Sequence, residues 1–207
     1  MKQGVLDPDF GDNIGDWQGK ISDVDGDLVC IDLDNTTLSI CPDKYIQRCE
    51  EDGLDWEQIY LSAENVELAI PRITPANLTN IKEAIHLKHQ WDHLGKSTSK
   101  RIHEVLNNTN ITDEYEVMGA WKQYFNNNLS FPFDAEISEH QAQEPLKQGD
   151  NVRIYGVVGN DEHYGVIVNV RRGEKSYECP LCIVEVKDKK SSSYRIVSDY
   201  SVWYSNR

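Results

Sequence analysis

The stretch with the most evident capacity for chemistry is Asp23-Val-Asp25-Gly-Asp27-Leu-Val-Cys-Ile-Asp32-Leu-Asp34. Ca²⁺ takes about six to eight oxygen ligands, and carboxylates alternating along a turn can supply several of them. Asp23, Asp25 and Asp27 match the first, third and fifth positions of an EF-hand loop, and Asp34 matches the twelfth. The sixth position is Leu28, where the sharp turn requires Gly, and the flanks are β-rich. Because Asp-Gly is itself a strong turn signal, the segment reads as a charged hairpin tip, with Asp23, Asp25 and Asp27 a weak cation site at most.

Three other groups of chemistry-bearing residues carry less. His86, His89 and His93 share much of a helix face, but no cysteine lies near in sequence to complete a four-ligand zinc site. Cys179-Pro-Leu-Cys182 is a CxxC between strand-like runs, away from the helix N-terminus that would lower a thiol pKa, with Glu178 beside it. It reads as two small packed hydrophobes. Asp161-Glu162-His163 is a polar loop too small to indicate acid–base catalysis. There is no phosphate-binding glycine loop, GxSxG or HExxH, so no enzymatic role is expected.

The elements that must position these residues fall into three segments. Residues 17–70 show β-rich runs separated by turns, among them Leu28–Leu33, Thr37–Ile40, Tyr45–Ile46 and Asn65–Ile70. Many short strands suggest a small SH3-like or Tudor-like barrel. From Ile81 apolar residues recur at helical spacing, Ser97–Leu106 continues as a second helix, and Thr112 caps a third that carries Met118, Trp121 and Phe125. Strands return at Val152–Val158, Tyr164–Val170 and Tyr177–Cys179, and the aromatic Tyr200–Tyr204 stretch is expected to pack back on them. The expected class is α+β, with two small β-barrel-like modules joined by helices. The expected divisions are residues 1–72, 73–111 and 112–207.

The chain has 207 residues, 35 acidic against 21 basic, and a formal net charge of −14. Such a surface repels nucleic acid and anionic membranes and attracts cations and basic partners, so neither nucleic acid nor membrane is an expected partner. No apolar run approaches the length of a membrane span. The first 20 residues are acidic and polar, unlike an export signal, and five cysteines is an odd number. Reduced thiols and a cytoplasmic location are therefore expected. The charge is unevenly placed: residues 1–70 hold 17 acids and 4 bases, whereas residues 131–207 hold 12 and 10.

The C-terminal stretch carries a more specific pattern. Met118-Gly-Ala-Trp121 leads through Tyr124-Phe125 to Leu129-Ser-Phe-Pro-Phe133-Asp-Ala135, followed by Pro145-Leu-Lys-Gln-Gly149-Asp150. Asp161-Glu162-His163, Pro180-Leu181, Val184-Glu185 and Asp199-Tyr200 through Trp203 come next. This order, over about residues 112–207, resembles the small CcbP-type calcium-binding proteins of cyanobacteria and other bacteria. The resemblance implies a compact α+β module that binds Ca²⁺ outside any EF-hand, as buffer or sensor. By matching positions it implies Asp161, Glu162, Glu185 and Asp199 as ligands, assisted by Asp134 or Asp150. The expected function is thus a non-enzymatic calcium-binding protein. The alternative is an acidic adaptor whose barrels hold a basic protein or peptide in a groove lined by Trp17, Tyr45, Trp56 and Tyr60.

Overall fold

The computed structural model describes residues 1–139 and 145–207. The chain divides into two compact units, Met1–Gly95 and Lys96–Arg207.

In the first unit, β1 (Gly19–Asp25), β2 (Leu28–Leu33) and β3 (Gln58–Ser62) form an antiparallel sheet in that order. The β1–β2 turn falls at Gly26, whose φ of +60° belongs to the left-handed region that glycine enters without penalty. Between β2 and β3 lie α1 (Asn35–Ile40) and α2 (Asp43–Asp52), and α3 (Ile81–His89) follows the sheet. Residues opposite one another share a face, so Val29 and Leu61, and Ile31 and Ile59, form apolar rows. These pack with Leu38, Tyr45, Ile46, Cys49 and Trp56 into the core.

The runs Thr37–Ile40 and Tyr45–Ile46, expected as strands, are helical. Asp34 accepts the Thr37 backbone N–H at 2.6 Å as the N-cap of α1, and Thr37 is itself buried, its hydroxyl bonding the Gln18 backbone. Pro42 and a left-handed Gly53 bracket α2. Local β propensity yields to caps that satisfy helix ends. Asn65–Ile70 is not a strand either: a 3₁₀ turn at Ala63–Asn65 leads into extended chain with no ladder.

The second unit begins with α4 (Lys96–Leu106) and α5 (Glu114–Asn128). The N-cap of α5 is Asp113, one residue beyond the expected Thr112; its carboxylate accepts the Tyr115 and Glu116 N–H groups. Five antiparallel strands follow: β4 (Phe133–Ile137), β5 (Asn151–Asp161), β6 (Gly165–Arg172), β7 (Lys175–Pro180) and β8 (Val184–Val186). Their order is β7-β6-β5-β4-β8, and α6 (Ser192–Ser205) ends the unit. Val152, Ile154, Val166, Val168 and Val170 point to one buried face. Trp121 and Phe125 of α5 and Tyr200 and Trp203 of α6 form one buried aromatic cluster, with ring centroids 5.1–5.8 Å apart among the contacting pairs. The expected packing of the Tyr200–Tyr204 stretch is thus achieved from a helix.

Both units mix helix with sheet, as the α+β expectation requires. The SH3-like barrels are not found: the two sheets have free edges and neither closes on itself. In the second unit helices α5 and α6 pack with the sheet's strands, so its apolar face is buried without the sheet curling onto itself. Among the described residues, no helix is long and apolar enough to cross a membrane.

Candidate cation site

The β5–β6 hairpin tip holds Asp161 and Glu162. Asp161 Oδ1 accepts the His163 N–H at 2.8 Å and the Tyr164 N–H at 3.0 Å, which shapes the turn. The tip is tied to α6 from the other side. Tyr204 donates its hydroxyl to the His163 carbonyl at 2.7 Å, and the Arg207 guanidinium reaches the Glu162 carbonyl at 3.4 Å. One turn earlier on α6, the buried Tyr200 hydroxyl accepts the Val166 N–H at 2.7 Å. Gly165 has φ +71°, and a Cβ there would overlap the Tyr200 hydroxyl and the Tyr204 ring. Only glycine lets strand and helix approach this closely. The Glu162 side chain is exposed, and among the described residues no side-chain hydrogen bond or ion pair engages it.

The remaining expected ligands stand elsewhere, each with a partner. Asp199, on α6, makes a two-pronged pair with Arg101 of α4, Nε to Oδ2 at 2.5 Å and Nη2 to Oδ1 at 2.7 Å. That hydrogen-bonded pair raises the Arg101 pKa further above its ordinary value. Asp150 accepts the Lys147 N–H at 2.8 Å and faces Arg172 at 2.9 Å, its carboxylate largely covered. Glu185 lies 3.1 Å from Lys189, and Asp134 lies 3.7 Å from Arg153, all four side chains well exposed. Exposed pairs of this kind contribute little and are readily surrendered. Glu185 sits directly opposite Glu136 across β8 and β4. This like-charged pair was not foreseen, since it depends on strand register.

The N-terminal aspartates occupy the β1–β2 tip between two strands, which is not a helix–loop–helix frame. Two of the three histidines are separately engaged: His89 Nδ1 meets Asp92 Oδ2 at 2.7 Å, and His86 Nε2 meets Glu57 Oε1 at 3.0 Å. Burial, with Glu139 nearby, pushes the Cys182 thiol up to about 11, so it stays protonated at neutral pH. Trp17, Tyr45 and Trp56 are buried core residues; of the four aromatics expected to line a groove, only Tyr60 is exposed.

The donor types present at the β5–β6 tip, two carboxylates and neighbouring backbone carbonyls, suit a hard cation. Among the described residues, however, no three His, Cys, Asp or Glu side chains converge as a ready-made metal cluster. Sequence reasoning expected the Tyr200–Tyr204 stretch to pack back on the strands but did not assign Tyr200, Tyr204 and Gly165 to the tip, nor Arg101 to Asp199. The signal present was a glycine closing an acidic hairpin, but its need appears only with α6 in place.

A family model of the CcbP type, described as calcium binding, matches residues 100–204. Two solved structures are similar: a calcium-binding protein in its calcium-binding form, and CcbP from Anabaena. Each is 19% identical and covers 51% of this chain. The matches take in 90% and 89% of those chains, with TM-scores of 0.43 and 0.42. No curated protein matches.

Proposed function

This chain belongs to the CcbP-type calcium-binding family, and from that premise we propose that it binds Ca²⁺ through its C-terminal unit and catalyses no reaction. The observation that carries the reading is the family match over residues 100–204, which contains the whole β5–β6 tip. Asp161 and Glu162 are the leading ligands because, among the described residues, neither carboxylate is engaged by a basic side chain. Glu185 and Asp134 are second in order, as each has only an exposed basic partner to release. Asp150 and Asp199 come last, since Ca²⁺ would have to displace an arginine from each.

Affinity rises with the number of charged ligands, and two leading carboxylates make a weak site. The protein therefore responds to high Ca²⁺ concentrations, as a low-affinity buffer or sensor. A mode outside any EF-hand is consistent with a tip set between strands. The five cysteines are free and four are buried, which suits a reducing compartment such as the cytoplasm.

Calorimetric titration of the full chain with CaCl₂ tests this. The expected result is binding with Kd of about 10⁻⁴ to 10⁻³ M, as for other low-affinity calcium modules, weakened about tenfold or more in Asp161→Asn/Glu162→Gln. Asp23→Asn/Asp25→Asn/Asp27→Asn should leave that site unchanged. Binding that survives loss of both tip carboxylates would overturn the assignment.

A further inference from the structure

The first unit has an opening that the calcium reading does not use. A slot of about 770 Å³ lies between β1 and the extended segment Val66–Arg72, with Ile21 and Ile31 along one side and Leu68, Ala69 and Ile70 along the other. This volume is in the range of ligand clefts.

Three independent features mark the slot as unfinished sheet. First, β1 is an edge strand whose seven residues are all exposed, and outside its ladder with β2 none of them makes a backbone–backbone hydrogen bond among the described residues. Second, the facing segment Glu67–Thr74 makes no backbone–backbone hydrogen bond among the described residues. Two rows of donors and acceptors are therefore left to solvent. Third, the core face of the sheet continues onto β1 without cover. Ile21 lies opposite buried Ile31 and Val24 opposite buried Val29, yet Ile21 and Val24 are themselves half exposed. Across the slot, Leu68 and Ile70 are 102% and 88% exposed, with Ile73 at 93% just beyond. Clustered exposed apolar side chains of this kind mark interaction surfaces.

The charge selects the occupant. The slot's own lining is balanced, Lys20 and Arg72 against Asp34 and Glu67. Further along the β1 edge, however, Asp23 and Asp25 lie on the face opposite to Ile21 and Val24, and the unit as a whole carries 19 acidic against 7 basic residues. A second copy would bring two units of this charge together, and a net charge far from zero opposes self-association. We propose that the slot takes up an extended basic segment of another protein as a fourth strand on β1. That segment sets apolar residues against Ile21 and Val24, and Lys or Arg against Asp23 and Asp25. This is recognition by strand addition, where backbone bonds supply affinity and alternate side chains supply selectivity.

The test uses the full chain and a fluorescently labelled heptapeptide, Val-Lys-Val-Lys-Val-Lys-Val, with the Val-Glu alternating peptide as control. The basic peptide should bind and the acidic one should not. Binding should weaken about tenfold from 0.1 M to 1 M NaCl, where the screening length falls from about 10 Å to about 3 Å. Amides of Gly19–Asp25 should gain exchange protection. Leu68→Ser/Ile70→Ser should lose at least about tenfold in affinity with an unchanged melting temperature, because both side chains are exposed in the free protein. Ile21→Lys should lose as much by placing positive charge in the slot. Equal binding of both peptides, or binding indifferent to both variants, overturns the proposal. So does a concentration-dependent dimer that Leu68→Ser/Ile70→Ser abolishes, which would make a second copy the occupant.

Discussion

The two hairpin tips, Asp25-Gly26-Asp27 in the first unit and Asp161 to Gly165 in the second, are both acidic and both closed by a glycine at positive φ. They differ in what surrounds the glycine. Nothing lies within 4 Å of a Cβ at Gly26, whereas one at Gly165 would meet Tyr200 and Tyr204. The first tip is a turn standing in solvent; the second is pinned to α6 through Tyr204 and the backbone of Val166. The same contrast runs through the charges. The first unit carries 19 acids against 7 bases, and the second 16 against 14. Net charge therefore collects in the unit whose acidic tip stands free, while the family match falls on the nearly neutral unit with the pinned tip. A cation site depends on where a few oxygens are held, and overall charge only sets how strongly ions are drawn to the surface.

Substituting each tip glycine is the strongest way to break this comparison. Gly165→Ala should destabilise the second unit by about 3 kcal/mol, combining a left-handed alanine with overpacking against a buried tyrosine. Gly26→Ala should cost only about 1 kcal/mol, the backbone penalty alone. Thermal denaturation followed by tryptophan fluorescence separates the two, and equal losses would show that the α6 contact does not constrain the tip.

Arg101→Met addresses whether Asp199 is held as structure. Removing the guanidinium leaves a mostly buried carboxylate without its partner, and about 2 kcal/mol should be lost, less than for a fully buried pair because Arg101 is partly exposed. Urea unfolding reads this. A gain in Ca²⁺ affinity in the same variant would promote Asp199 to ligand.

Tyr204→Phe should cost about 1 kcal/mol by removing the bond to the His163 carbonyl. Its sharper readout is calcium: the tip should bind Ca²⁺ more weakly if pinning orients its oxygens, and calorimetry of the variant measures that directly.

The smallest effect concerns acid. Burial alone would raise the Glu57 pKa, but the hydrogen bond and charge of Lys82, aided by His86, lower it overall. A carboxyl held below its unfolded value, about 4.3, stabilises the fold above that pH. The stabilisation disappears as pH falls through the lower folded value. The urea midpoint of the wild type should therefore fall below about pH 4, and the Glu57→Gln variant should show a shallower acid slope.

Much of the local structure was legible. The β1–β2 hairpin announced itself through Asp-Gly, and α3, α4 and α5 through apolar spacing and capping residues. The β5–β6–β7 meander was visible as Val-rich runs separated by glycine. What misled was the short β-branched stretch Thr37–Ile40, where Asp34 and the contact of Thr37 with Gln18, 19 residues away, impose a helix. Sheet closure was misjudged for a related reason: strand-like runs indicate how many strands exist, but helices packed against the sheet decide whether it needs to curl. The aromatic groove expected from Trp17, Tyr45 and Trp56 proved to be core, since large aromatics bury whenever a unit this small can accommodate them.

The candidate ligands show the same limit most sharply. Family-matched positions identified Asp161, Glu162, Glu185, Asp199, Asp134 and Asp150 as one set, and spacing could not rank them. Asp199 meets an arginine 98 residues earlier in the chain, and Asp150 meets Arg172 across the sheet. The sequence by itself determined the charge distribution, the three helices α3 to α5 and the acidic turns, because those follow from neighbours a few residues apart. Only the tertiary structure decided which carboxylates are already neutralised and which stay open. A carboxylate's partner is set by distance in space, and at a few ångströms a guanidinium competes directly with a cation for the same oxygens.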